Sequence, residues 1–456
     1  MLVEDCYRIN PHNTIKLVIL SQRPNAPDEI TGVNAYDIGC MASQQFKGSL
    51  GDLCLIHHRD GKLHKVYIGQ GQRHAGLALA HAVNRLPPGC YAVSDYLPPS
   101  ALLFWSLAQY QYDRYKSHSP TPRILAVSAE DWPSIQAEAA AIFLVRDLIN
   151  TPTNDMGPKE LADVLSSIAQ THDAQFEQWI GDELLTHDFP ATHAVGRAAA
   201  TPPRMLSMTW GDESHPKVTL IGKGVCFDSG GLDLKSSPNM RLMKKDMGGA
   251  AQVIGLASLL MEQHVPIRLQ VLIPAVENAI GANAYRPGDI LTMRNGLTVE
   301  IDNTDAEGRL VVADALVKAC EDQPDLIIDF TTLTGAARIA VGTEISAMFT
   351  NDDALADAIH EASILTDDPV WRMPLFKGYE SMLDSSVADL TNSPASSYAG
   401  AITAALFLQH FIKAGIPWVH FDIMAWNIKN KPGKPEGGEA MGLRAMAAYL
   451  LNRFKS

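Results

Sequence analysis

The chain is poor in the features that mark several large classes of protein. Six cysteines are spread over 456 residues, at positions 6, 40, 54, 90, 226 and 320, and no two of them form a CxxC pair. Zinc-finger spacing is therefore absent, and so few thiols in so long a chain do not make a disulfide framework. No apolar run reaches the roughly 18 residues that a membrane-spanning helix needs. The first residues, MLVEDCYRINPHNTIK, place Glu4 and Asp5 where a signal peptide carries Lys or Arg, and no apolar stretch follows them. Positive charge is scarce too: 37 Lys and Arg face 51 Asp and Glu, for a net charge of −14. That balance speaks against general binding of nucleic acid or anionic membrane, both of which rely on clustered Lys and Arg, and it suits recruitment of cations. The expectation is a cytoplasmic protein with neither membrane nor nucleic acid as a partner.

What is present fits a globular enzyme: 46% of residues are apolar and 19% charged. The length suffices for two domains. Residues 1–125 mix expected strands (14–20, 53–57, 65–69) with helices (77–83 and 101–115), which suggests a small α/β domain. Gly69-Gln70-Gly71 follows a strand, but position 74 is His, so the dinucleotide fingerprint fails and a tight turn is the better reading. Pro120 and Pro122 mark a break within 116–123. A strand at 124–127 and a long helix at 129–150 then form a linker, taken as 126–152. Beyond it, residues 153–456 alternate helix and strand. Strands are expected at 218–225, 267–273, 297–302, 326–330 and 418–423, and helices at 158–171, 246–263, 310–321 and 399–414. The expected fold class is α/β, a small N-terminal α/β domain plus a larger C-terminal one with a mixed, largely parallel sheet flanked by helices.

One stretch, VTLIGKGVCFDSGGLDLKSSPNMRLMKKDMGGAA at 218–251, concentrates charge among glycines and apolar residues: Lys223, Asp228, Lys235 and Asp246. A second, NTDAEGRL at 303–310, adds Asp305, Glu307 and Arg309. Both follow expected strand ends, where open α/β sheets bind ligands. Charges placed for burial need a counter-charge or a metal. Asp305 and Glu307, two apart, would face one side if the backbone there is extended. Four carboxylates without a His suit an oxygen-rich pair of divalent cations, but spacing alone leaves a network of buried ion pairs equally open. For Lys223 the spacing favours an ordinary ion pair, although a buried amine beside a dication can lose its proton and coordinate.

GKGVCFDSGG, Lys235, KKDMGGAA and NTDAEGRL resemble the signature segments of the leucyl aminopeptidase (cytosol aminopeptidase) family of two-metal exopeptidases. The octapeptide NTDAEGRL matches in full, and the intervals from Lys223, 5 to Asp228, 12 to Lys235 and 23 to Asp246, also fit. RDLINTPTND (146–155), VGRAAATPPR (195–204), IPAVENAIGANAYRPGD (273–289), DFTTLTGA (329–336) and WRMPL (371–375) extend the resemblance from about residue 129 to the C-terminus. Residues 1–125 share only the general layout.

The resemblance implies a metallo-aminopeptidase that removes the N-terminal residue from peptides through a metal-activated bridging water. Lys223, Asp228, Asp246 and Glu307 would hold the tighter of two divalent ions, Mn²⁺ or Zn²⁺ with Mg²⁺ also compatible. Asp228, Asp305 and Glu307 would hold the second. Lys235 would stabilise the oxyanion, and Arg309 would hold a bicarbonate acting as general base. Met243, Thr332, Leu333, Gly335 and Met424 would form the pocket for the first side chain. A free α-amine would be required, and a homohexamer is implied. Many relatives continue Ala-Gly after the 418–423 strand, where this chain has Met424-Ala425-Trp426, so either a reshaped pocket or a compensated packing change is expected.

Three rival functions remain to be weighed. Asp228-Ser229-Gly230-Gly231 resembles the segment around a serine-protease nucleophile, which would give Ser229 a role needing a His and an Asp. A DNA-binding or regulatory protein could retain the fold, and a two-metal phosphatase could use the same carboxylates. The scattered histidines (His57, His58, His193, His360, His410 and His420) lack ligand spacing.

Overall fold

A computed structural model describes residues 2–26, 29–30, 32–117 and 121–455. Chain contacts divide it into two units, residues 1–143 with 429–436 and residues 144–428 with 437–456. The division falls inside the helix Trp132–Asn150. Part of the expected 116–123 break, including Pro120, lies outside the described residues.

The first unit carries a six-stranded sheet in the order Tyr7–Ile9, Arg123–Val127, Gly89–Val93, Ile15–Leu20, Leu63–Gly69, Leu53–His57. All neighbours run parallel except the last pair. The Gly69–Gly71 segment is a tight turn under the 48–52 loop: Gly71 has φ +57°, and a Cβ on Gly69 would strike Ser49 O. His74, the residue that breaks the dinucleotide fingerprint, caps the helix Ala75–Val83, its Nδ1 accepting from Leu77 N at 3.2 Å. The single helix expected over 101–115 is instead two short turns, Pro99–Leu102 and Phe104–Leu107. Gln109 ends the helical path because its side chain brackets the Arg123 backbone, donating to the carbonyl at 2.9 Å and accepting from the N–H at 2.8 Å. That exchange satisfies the part-buried Arg123 N–H and adds a second donor to its carbonyl, which also accepts from Trp105 Nε1 at 2.7 Å.

In the second unit the main sheet runs Val370–Arg372, Ser346–Thr350, Trp418–Asp422, Leu326–Thr331, Lys217–Gly222, Arg268–Asn278, Arg204–Trp210, Gln175–Ile180, with Gly224–Asp228 beside the far half of Arg268–Asn278. The central strands are parallel, and antiparallel strands close both sides. Val218 to Ile221 is buried throughout, which explains its continuous apolar run: a central parallel strand is covered on both faces. Ile221 joins a core with the helix Glu307–Glu321, while the helix Gly248–Glu262 packs on the same strand and on Leu326–Thr331. The structure is thus the expected mixed α/β fold, mostly parallel, with flanking helices.

The strand expected over 218–225 breaks in two at Lys223. Lys217–Gly222 lies between two parallel partners; past Lys223 the chain leaves Leu326–Thr331 and pairs with Arg268–Asn278 alone. Glycine is required where helix and strand ends meet. A Cβ on Gly222 would lie 2.5 Å from Ala250 Cα, and one on Gly249 would run into Phe330 O and lie 2.9 Å from Lys223 N. The backbone of Lys223 is held on both sides, its N–H donating to Phe330 O (3.0 Å) and its carbonyl accepting from Ala250 N (2.9 Å). Gly249→Ala is therefore expected to cost more than about 3 kcal/mol, because backbone rather than a flexible side chain must move. Urea denaturation of the metal-free protein measures it, and a loss below about 1 kcal/mol would contradict this packing.

Candidate metal centre and substrate pocket

The break at Lys223 aims its side chain into a buried cluster. Lys223 Nζ lies 2.6 Å from Asp246 Oδ2 and 2.9 Å from Glu307 Oε1. Gly308 makes room for it: a Cβ there would lie 2.6 Å from Lys223 Cε. Asp246 sits on the 3-10 turn Met243–Met247 that precedes the helix Gly248–Glu262, and Thr332 Oγ1 donates to its Oδ1 at 2.7 Å. Asp228 ends the strand Gly224–Asp228, where Asn278 Nδ2 and Gly230 N each donate to its Oδ1 at 2.9 Å. Lys235 Nζ lies 2.7 Å from Asp228 Oδ2 and pairs with Asp305.

Asp305 and Glu307 reach the cluster by a route different from the one expected. The expected strand 297–302 is only Thr298–Glu300; Asp305 stands in a turn, and Glu307 opens the helix Glu307–Glu321. Their alignment is therefore not that of an extended backbone. The turn is pinned by Asn392, whose Oδ1 accepts from Asp302 N (2.9 Å) and whose Nδ2 donates to Asn303 O (2.7 Å). Asn392 comes from the end of Leu390–Thr391, which extends the small sheet Ile290–Thr292 and Thr298–Glu300. Thr304 Oγ1 donates to Gly230 O at 2.7 Å and Tyr285 Oη to Thr304 O at 2.6 Å, tying the two charged segments together.

The result is three carboxylates, Asp228, Asp305 and Glu307, each with an oxygen within 4.8 Å of the others. Burial, reinforced by the Asp228 charge, holds the Asp305 and Glu307 carboxyls above the usual carboxylate range. Burial alone would lower the Lys223 ammonium, but Asp246, Glu307 and Asp228 outweigh it and hold it above the ordinary lysine value. Burial, the largest influence on Asp246, raises it, but the Lys223 and Lys245 charges and the hydrogen bonds from Lys223 and Thr332 together bring it below the usual carboxylate value.

Do these residues fit divalent cations? Asp246 Oδ2 and Glu307 Oε1 are buried without a well-aligned hydrogen-bond donor, although the Lys223 ammonium is within ion-pair distance of both. Oxygens left in that state, clustered with like charges, are what hard dications take. The donor set fits. Arg309 fits an anion equally well: it is buried, its Nε and Nη1 have no hydrogen-bond partner among the described residues, and burial pushes it down to about 10.

A cavity of about 710 Å³ opens over the cluster, lined by Lys223, Asp228, Lys235, Asp246, Asp305 and Arg309 and, at the expected side-chain pocket, by Met243, Thr332, Leu333 and Gly335. Met424 stands behind that lining, buried, with Arg338 Nη1 3.5 Å from its sulfur. The residue after it, Ala425, has φ +53°, a left-handed conformation that favours glycine, and its methyl occupies the space that keeps Gly248 bare. Among the cavity-lining residues that the sequence did not single out are two cations, Lys245 and Arg338. Lys245 is 2% exposed and pushed down to about 8 by burial. The supports Asn278, Tyr285 and Asn392 were missed as well; the first two lie inside IPAVENAIGANAYRPGD, which pointed to the neighbourhood but to no role.

Comparison with known proteins agrees with this geometry. Residues 143–447 match the model of the cytosol aminopeptidase family, catalytic domain, and residues 23–127 match that of the M17 aminopeptidase N-terminal domain. The chain belongs to the cytosol aminopeptidase family. It is 38% identical over 400 residues to a probable cytosol aminopeptidase of Syntrophotalea carbinolica, covering 84% of this chain and 79% of that one. The crystal structure of the cytosol aminopeptidase from Coxiella burnetii superposes with a TM-score of 0.93 at 46% identity, over 99% of this chain and 100% of that one. The bottromycin maturation enzyme BotP, solved in complex with Mn, gives a TM-score of 0.87 at 32% identity, over 97% and 100%. Membership makes this aminopeptidase a metal-dependent peptide hydrolase.

The raised acids carry a pH prediction. Between ordinary carboxylate values and their raised ones, the metal-free fold keeps protons that the unfolded chain has released, so these groups lower its stability as pH rises through that window. Metal must displace those protons, so the rise in melting temperature on adding Mn²⁺ is expected to be larger at pH 8.5 than at pH 6, by about several degrees. Thermal unfolding at both pH values checks it; an increment that stays constant or shrinks would contradict the assignment.

Proposed function

We propose that this family member is a two-metal aminopeptidase. Lys223, Asp228, Asp246 and Glu307 would hold one divalent ion and Asp228, Asp305 and Glu307 the other, with Mn²⁺ or Zn²⁺ the fitting metals and Mg²⁺ compatible. The observation that carries the reading is the carboxylate cluster at the floor of the cavity, flanked by two lysines and by an arginine without a counter-ion. When bound, the cations supply Lewis acidity, lowering the pKa of a water and polarising a carbonyl.

The chain's own groups do the rest. Lys235, in the loop between the strand Gly224–Asp228 and the turn Ser237–Met240, presents its ammonium to the oxygen on which negative charge builds. Arg309 would hold a bicarbonate against the site, a group that would supply general-base chemistry there. The cavity wall at Met243, Thr332, Leu333 and Gly335 orients the first side chain, so that the substrate's free α-amine points at the cluster. Peptides with a free N-terminus are the substrates. A cytoplasmic homohexamer, as the resemblance implies, completes the proposal; exposed Ile339 and Tyr398, at 89% and 81%, suit surfaces covered by other subunits.

The serine-hydrolase alternative finds no support. Ser229 Oγ donates to Asn278 O at 2.7 Å and accepts from Gly231 N at 3.2 Å, which makes it a turn staple, and no histidine lines the cavity. Chelation is expected to abolish hydrolysis of a free-ended dipeptide and re-addition of Mn²⁺ or Zn²⁺ to restore it, while a fluorophosphonate leaves it intact. N-acetylation of the substrate should stop turnover. Lys235→Ala is expected to lower kcat by about 100-fold or more with the protein still folded and metal-loaded. Full activity after chelation, or in the Lys235→Ala variant, would end this reading.

A further inference from the structure

The pocket expected to take the first side chain carries charge that an apolar ligand has no use for. Lys245 follows Met243 on the 3-10 turn Met243–Met247, is 2% exposed, and lines the cavity. Among the described residues its ammonium has no side-chain hydrogen bond or salt bridge, and the Asp246 and Asp422 charges act on it without contact. Arg338, on the helix Gly335–Val341, lines the same cavity. Its guanidinium lies over two residues of the expected pocket: Nη1 is 3.5 Å from Met424 Sδ, and Nη2 is 3.3 Å from where a Cβ on Gly335 would stand.

The acids that face this pair have other commitments. Asp246 is engaged by Lys223 and Thr332. Asp422, on the strand Trp418–Asp422, accepts from Leu333 N (3.0 Å) and Thr334 N (3.1 Å) through one oxygen and from Thr334 Oγ1 (2.6 Å) through the other. The remaining nearby charge, Lys223, is of the same sign. Two cations thus share one wall, and among the described residues no carboxylate forms a salt bridge with either; Arg338 has only the Met424 sulfur as an acceptor.

We propose that Lys245 and Arg338 form a cationic end to the first-residue pocket, and that the enzyme favours peptides whose N-terminal residue is aspartate or glutamate. The inference rests on the aminopeptidase reading above and narrows its substrate class. A buried ammonium without a counter-charge is unfavourable, and a substrate carboxylate relieves it through charge-assisted hydrogen bonds, bidentate in the case of arginine. An apolar first residue would cover the buried Lys245 and the half-buried Arg338 without offering either a partner, which is the asymmetry that makes polar pockets selective. Met243, Thr332 and the bare Gly335 leave the stem of such a side chain room to reach them.

Steady-state rates of the full-length, Mn²⁺-loaded enzyme on Glu-, Asp-, Gln-, Leu- and Met-p-nitroanilides test it. The expected kcat/KM is higher for Glu or Asp than for Leu by about tenfold or more. Lys245→Met and Arg338→Met should each reduce the Glu-to-Leu ratio about tenfold, mainly through KM for Glu, whereas Lys245→Arg should keep most of it. Should Lys245→Met fail to fold, Arg338→Met decides alone. Turnover of Leu without Glu or Asp in the wild type, or a ratio that neither substitution moves, overturns the proposal and leaves the aminopeptidase reading standing. No turnover of any member of the panel overturns both.

Discussion

Like charges crowded into a dry space dominate this molecule. Asp228, Asp305 and Glu307 would repel one another apart if the backbone allowed it, and the fold does not allow it. Asp228 is fixed by a strand end, Glu307 by the first turn of a helix, and Asp305 by a turn held from outside. Lys223 and Lys235 reach in from the same glycine-rich segment and keep the cluster from flying apart. The architecture around it, bare glycines at helix–strand contacts and amides donated to carboxylates, serves to hold an electrostatically unfavourable arrangement that dications would turn into a favourable one.

Much of this was legible from the residues. The buried central strand announced itself as an unbroken apolar run, and the charged segments stood out because Lys and Asp rarely sit among glycines and valines without a partner. What the pattern did not reveal was backbone direction over short distances. The strand through Lys223 is two strands, because the residue that must turn its side chain into the cluster also changes sheet partner. Asp305 and Glu307 share a target without sharing a strand, since a turn pinned by a remote asparagine achieves what alternation would have. The 101–115 segment kept an apolar helical face on paper, yet Gln109 found better use for its amide on the Arg123 backbone.

The supports were harder to read than the charged cluster. Asn278 and Tyr285 carry no charge and lie in a stretch that looks like an ordinary strand and loop; their value lies wholly in whom they touch. Lys245 was hidden by its neighbours, one lysine in a pair beside Asp246. Its twin Lys244 turns the other way, donating to Asn150 O at 2.5 Å, and only coordinates separate the two.

Asn392 gives the centre an unusual dependence on distance along the chain. The first segment is complete by residue 251, but the turn bearing Asp305 takes its shape from a side chain some ninety positions later, and Thr334 beside the pocket leans on Asp422 later still. During synthesis from the N-terminus, a ribosome must have released nearly the whole polypeptide before the hydrolytic machinery can close. Truncated products and half-made chains carry the lysines and carboxylates yet lack the clamp that arranges them, so peptide-cutting power emerges only at the end of translation.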